Sequence, residues 1–129
     1  MSAGKYSFAI DQGSTFKLGV QYLDSNSTPI NLTDYSARMQ IRSDYADNSN
    51  TLYITVSSSI DADGTGLNLY GINGDQPLSS GSIGITISAD KTTSMSFESG
   101  YYDLELTSGS YVTRILEGNV LINKEVTRV

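Results

Sequence analysis

The densest grouping of chemistry-bearing side chains is Asp61-Ala62-Asp63-Gly64-Thr65-Gly66. Acids at alternate positions followed by glycine can wrap oxygen ligands around a hard cation such as calcium. The order departs from an EF-hand loop. Thr65 stands where a third acid belongs, and Ile72 occupies the position, counted from Asp61, where a glutamate would close the site. The same hexapeptide reads more plainly as a strand-connecting turn in which the aspartates cap backbone amides. Asp61 and Asp63 are therefore metal candidates set against a simpler role. Calcium is the one cofactor considered, and the expectation is that none is needed.

A second pair of acids, Asp103 and Glu105, lies two residues apart in an alternating run, about 7 Å from one another along a strand. Two carboxylates facing each other across a cleft at roughly 5–9 Å can hydrolyse a glycosidic bond, but every i, i+2 pair on a strand meets that spacing. Ion pairing is the simpler expectation. Arg38 and Arg42 alternate on the polar face of their own run, and a neighbouring strand bearing Asp103 and Glu105 would pair with them. Such pairs fix strand register and discourage edge-to-edge aggregation more than they stabilise. Nine tyrosines against three phenylalanines add aromatic side chains able to anchor a protein interface or stack on a sugar. Tyr45, in a polar loop, and Tyr101, on the expected polar face, are the contact candidates among them.

The absences exclude more chemistry than the presences suggest. The sequence holds no His, Cys or Trp, so Ser-His-Asp triads, thiol nucleophiles, disulfides and His or Cys metal centres are ruled out. Fourteen acids against eight bases give a net charge of −6, without the basic footprint a nucleic-acid partner needs. No apolar run approaches the roughly 18 residues that span a bilayer, so no membrane partner is expected. No phosphate loop, dinucleotide turn or nucleophile elbow is present. A non-enzyme is the expectation.

The elements that must position these side chains follow from a period of two. Tyr6, Phe8 and Ile10 alternate with small or polar residues. So do Phe16 to Tyr22, Ala37 to Ile41, Leu52 to Val56, Leu67 to Leu69, Ile83 to Ile87, and Tyr102 to Leu106, and a last apolar stretch runs from Val112 to Ile122. Half-buried antiparallel strands have this pattern. Turn clusters separate the runs, and Ser108-Gly109-Ser110 joins 101–107 to 111–117 as a hairpin. The 129 residues form one all-β domain of about eight strands, with a sandwich favoured over a barrel. Only 88–97 breaks the alternation. A single helical turn or compact loop over 89–97 is expected to cross between sheets, with Met95 and Phe97 plugging the core. Residues 1–5 read either as an ordered arm or as a flexible, frayed tail.

Three stretches carry a resemblance. Ile10-Asp11-Gln12-Gly13-Ser14-Thr15-Phe16 resembles an "I-x-Q-G-x-T-F" opening. Pro29-Ile30-Asn31-Leu32-Thr33-Asp34-Tyr35-Ser36-Ala37-Arg38-Met39-Gln40-Ile41-Arg42 resembles "P-V-D-L-T-G-Y-T-A-R-M-Q-I-R". Tyr102-Asp103-Leu104-Glu105-Leu106, Val112-Thr113-Arg114-Ile115-Leu116-Glu117-Gly118 and Glu125-Val126-Thr127-Arg128 resemble "Y-D-L-E-L … V-T-R-L-L-E-G … E-V-T-R". Together these are similar to small tailed-bacteriophage and prophage virion proteins, which in turn resemble the immunoglobulin-like N-terminal domain of siphophage upper baseplate proteins. Asn31 and Asp34 depart from the aspartate and glycine of the pattern, and 44–73 matches nothing in it. The resemblance implies an immunoglobulin-like β-sandwich assembled in the host cytoplasm into a virion. There it docks on other virion proteins as a homo-oligomer of the tail, baseplate or neck. Arg38, Arg42, Tyr45, Tyr101, Asp103 and Glu105 are the interface candidates. A host-surface glycan-recognition module using tyrosines and Asp-rich loops is the alternative.

Overall fold

A computed structural model of the chain describes residues 4–44 and 51–126. Two sheets face each other. The larger takes β1 (Gly4–Lys5), β2 (Phe8–Asp11), β4 (Ser36–Arg42), β5 (Leu52–Ser57), β8 (Ser99–Ser108) and β9 (Tyr111–Asn123). The smaller takes β3 (Phe16–Gln21), β6 (Gly66–Asn68) and β7 (Ser82–Ile87). Strand order is β1-β9-β8-β4-β5, with β2 also on β9, against β3-β7-β6. With β3, β4, β5, β6, β7, β8 and β9 taken as strands B, C, C′, D, E, F and G, this is the arrangement of a variable-type immunoglobulin sandwich. The fold is an all-β, immunoglobulin-like β-sandwich. Among the described residues no helix is long and apolar enough to cross a membrane.

The alternation read from the sequence is what closes the core. Ala37, Met39, Ile41, Val56, Tyr102, Leu104, Leu106, Val120 and Ile122 from the larger sheet meet Leu67, Ile83, Ile85 and Ile87 from the smaller, all buried. The β8–β9 hairpin turns on Gly109 and Ser110. Gly109 has φ 59° at the first central position, where a two-residue type II′ loop asks for glycine. A bulge between Leu104 and Glu105 leaves Ile115 as the extra residue of β9, so the long strand bends around the core instead of crossing it flat.

The start of the chain adds two features to the sequence expectation. Gly4 and Lys5, within a segment left open between an ordered arm and a frayed tail, pair with Leu116 and Glu117. Residues 1–3 lie outside the described residues. The first strand also runs parallel to β9, at one constant register from Gly4↔Leu116 to Asp11↔Asn123. Alternation reports which face a residue occupies and is the same for either strand direction, so the parallel pairing left no trace in the sequence pattern. Between β1 and β2 the chain loops at Tyr6 and Ser7, where Tyr6 N donates to Glu117 O at 2.9 Å and Asn119 N donates to Ser7 Oγ at 3.2 Å.

The non-alternating segment crosses between the sheets as expected. Ser88 caps the five-residue helix α1 (Ala89–Thr93) by accepting from Lys91 N. Beyond it Met95 enters the core and Phe97 stacks on Tyr53, ring centroids 3.8 Å apart and planes within 2°. Asp34, standing where the resembling pattern has glycine, holds φ 67°. That left-handed region is one glycine enters without strain and aspartate tolerates at a cost.

Candidate functional site

The outer face of the larger sheet gathers the charged residues. Register places Arg38 opposite Glu105, Gln40 opposite Asp103, and Arg42 opposite Tyr101. Of the six interface candidates, Arg38, Arg42, Tyr101, Asp103 and Glu105 therefore share one surface, and Tyr45 lies outside the described residues. Arg38 pairs with Glu105 at 3.8 Å. Asp103 does not pair with Arg42. Its partner is Arg114 of β9, at 3.4 Å, because β9 flanks β8 on the other side and delivers a guanidinium to that position. Arg42 instead donates to Gln40 Oε1 through Nε at 3.1 Å and Nη2 at 3.0 Å. Arg114 also reaches Glu117, which Lys5 reaches from β1. The result is two ion-paired groups on one face, Arg38–Glu105 across β4 and β8 and Asp103–Arg114–Glu117–Lys5 across β8, β9 and β1, with Tyr101 half-buried beside them. Exposed pairs of this kind contribute at most about 1 kcal/mol each, so their main effect is on orientation. Lys5 belongs to the second group and was hidden from the sequence because only the parallel pairing of β1 brings it to Glu117.

Asp103 feels the crowding. Burial raises its carboxyl above the usual 3.8, Glu105 pushes it further, and Arg114 pulls it back. Asp103 and Glu105 stand two residues apart on the outer face of one strand, side by side instead of facing each other across a cleft.

The Asp61–Gly66 segment is a turn tied to the helix. Gly64 N donates to Asp61 O at 3.0 Å and Asp61 N to Thr65 O at 2.9 Å. Asp63 Oδ1 accepts from Thr65 N at 2.9 Å, and Asp63 Oδ2 from the Ser88 hydroxyl at 2.8 Å. The buried Thr65 hydroxyl oxygen in turn accepts from Ser88 N at 3.0 Å. Lys91 Nζ lies 3.4 Å from both Asp61 and Asp63, so an ammonium sits between the carboxylates that a cation would bridge. Among the described residues no group of three or more acids, histidines or cysteines could hold a metal ion. The sequence signal for this arrangement is a serine cap three residues ahead of a lysine, which reads as a helix start and gives no hint of its partner thirty residues earlier.

These bonds hold the Asp63 carboxyl low. The Thr65 amide lowers it most and the Ser88 hydroxyl next, to about 2 from 3.8. A folded value below the unfolded one means stability that is complete above the unfolded value and lost as pH falls through the folded one. Asp63 thus supports the fold above pH 3.8 and ceases to between 3.8 and about 2. Asp103, shifted upward, acts in the opposite sense, its contribution falling as pH rises through its folded value. Urea titrations at a series of acidic pH values are expected to show that Asp63→Asn flattens the loss of stability on acidification, while Asp103→Asn steepens it. Equal slopes in both variants would contradict the assignment.

The sandwich also carries a cleft of about 310 Å³ where the end of β5 meets β6, lined by Leu32, Asp34, Tyr35, Ser58, Ile60, Leu67, Asn68, Leu69, Tyr70 and Leu78. Its residues come from four separate segments, so no spacing in the sequence announced it.

No protein-family model and no curated protein matches the chain. Among solved structures that match is a marsupial T cell receptor, with a TM-score of 0.48 and 12% identity. The likeness covers 95% of this chain and 51% of the other, so this chain spans about half the length of the receptor chain it matches.

Proposed function

We propose that the chain is a non-enzymatic structural protein of a tailed-phage particle, a tail, baseplate or neck component that works by protein–protein docking in a symmetric assembly. The observation that carries this reading is the outer face of the larger sheet, where five candidate contact residues share a broad surface on which Arg38, Asp103 and Glu105 are already ion-paired and Arg42 is hydrogen-bonded to Gln40 within the chain. A surface held in place by cross-strand ion pairs has little side-chain entropy left to lose on docking. The chain's 20 serines and 12 threonines add short side chains that, where exposed, lose little more. Each contact is individually weak, and repetition around a symmetry axis multiplies weak contacts into a stable particle.

Size-exclusion chromatography with light scattering, at low and high protein concentration and with and without millimolar calcium, tests the homo-oligomer. The expected result is a discrete oligomer that is indifferent to calcium and is dissociated by Tyr101→Lys on the outer face. A monomer at every concentration, stabilised by calcium, would move the function to the Asp61/Asp63 turn. Mass spectrometry of purified particles from the cells that encode the chain tests virion membership directly. Peptides of this chain are expected to co-sediment with the particles, and their absence overturns the reading.

A further inference from the structure

We propose that the cleft between β5 and β6 is a binding site for a neutral sugar ring. It stands apart from the charged outer face and does not depend on the docking reading. Its floor is apolar and fixed, since Leu32 and Leu67 are 1% and 0% exposed, and about 310 Å³ is at the small end of ligand sites. Two tyrosines, Tyr35 and Tyr70, line it together, and Tyr70 is 51% exposed. Aromatic rings combine apolar surface for the C–H face of a pyranose with a phenol that bonds its hydroxyls.

The polar groups in the lining suit a polyol. Ser58 Oγ accepts from Ala37 N at 3.0 Å, which leaves its hydroxyl hydrogen to donate. Asn68 Oδ1 accepts from Tyr70 N at 2.9 Å, which leaves the Asn68 amide hydrogens to donate. Asp34 adds a carboxylate at the rim, which when ionised accepts hydrogen bonds and donates none, held in a left-handed backbone conformation at φ 67°. Donors and an acceptor around an apolar floor match the alternating hydroxyls of a hexose. Among the described residues the lining contains no Lys or Arg, and a carboxylate at the rim of a chain carrying −6 net charge repels anions. That excludes acidic sugars and phosphorylated ligands and selects neutral ones.

The test is nuclear magnetic resonance of the 129-residue, nitrogen-15-labelled chain titrated with a panel of methyl glycosides of neutral hexoses and N-acetylhexosamines. Sialic acid and leucinamide serve as an acidic and an apolar comparison. Saturable shifts are expected for at least one neutral glycoside at the amides of Asp34, Tyr35, Ser58, Asn68 and Tyr70, with the outer face of the larger sheet unmoved. Tyr70→Ala, a change at an exposed ring, is expected to weaken binding about tenfold or more while leaving the rest of the spectrum folded. Asp34→Asn tests the acceptor without changing shape and is expected to weaken it less. The proposal is overturned if no neutral glycoside gives saturable shifts at these residues, if the shifts survive Tyr70→Ala, or if leucinamide or sialic acid binds the cleft in preference to every neutral sugar.

Discussion

Replacing Gly118 by alanine is expected to destabilise the domain by about 3 kcal/mol, by overpacking and by breaking hydrogen bonds of the first strand. A Cβ at this position would fall on the carbonyl oxygen and carbon of Tyr6. These are backbone atoms and cannot rotate aside. Nor is Tyr6 loose, since its carbonyl accepts from the Tyr102 hydroxyl at 2.6 Å and its amide donates to Glu117 O. Tyr102 is itself buried, and burial pushes its phenol well above the usual value, so its hydroxyl stays protonated and needs that acceptor. Chemical denaturation is the measurement, with hydrogen exchange on the amides of β1 and β2 to show the strand released. Gly109→Ala is the comparison. Nothing lies within 4 Å of a Cβ there, and only its φ of 59° opposes the change, at a cost of about 1 kcal/mol. If Gly118→Ala is no worse than Gly109→Ala, the parallel strand is dispensable.

Leu104→Ala is expected to cost more, about 4 kcal/mol, with a fall of roughly 10–20 °C in melting temperature. Leu104 is wholly buried in β8, the strand held on both sides, between Met39 of β4 and Leu116 of β9. Its neighbours are fixed by two ladders of hydrogen bonds and cannot collapse into the space, so the cavity remains and adds its own term to the lost burial. A total stability of about 5–15 kcal/mol makes such a loss decisive. Leu121, on the other face of β9 and 56% exposed, should tolerate alanine within about 0.5 kcal/mol. Thermal melts of the two variants side by side separate core burial from strand propensity, which both share.

Much of the fold was legible because alternation is a local signal. Met39, Leu104 and Ile85 could be assigned to the core, and Arg38, Asp103 and Glu105 to a solvent face, from the parity of their positions alone. The hairpin at Gly109 and the break at Ser88 were legible for the same reason, since turn and cap chemistry acts over a few residues. Part of the charged surface was therefore readable in advance, as two arginines on one strand facing two acids on a neighbour, though not which arginine meets which acid. The pairing of Asp103 was not, because parity places a residue on a face without saying which strand lies beside it.

The sequence by itself determined the class of the fold, its strands, the inward and outward faces and the exclusion of His- and Cys-dependent chemistry. Only the tertiary structure decided that the first strand runs parallel along β9 and brings Lys5 to Glu117, that Arg114 answers Asp103, that Lys91 closes the Asp61–Asp63 turn, and that four distant segments enclose a cleft with Tyr35 and Tyr70. The physical reason is common to all four. Each depends on which segments become neighbours when two sheets close over one core, and that choice is set by the summed packing of the whole chain, which no short stretch encodes.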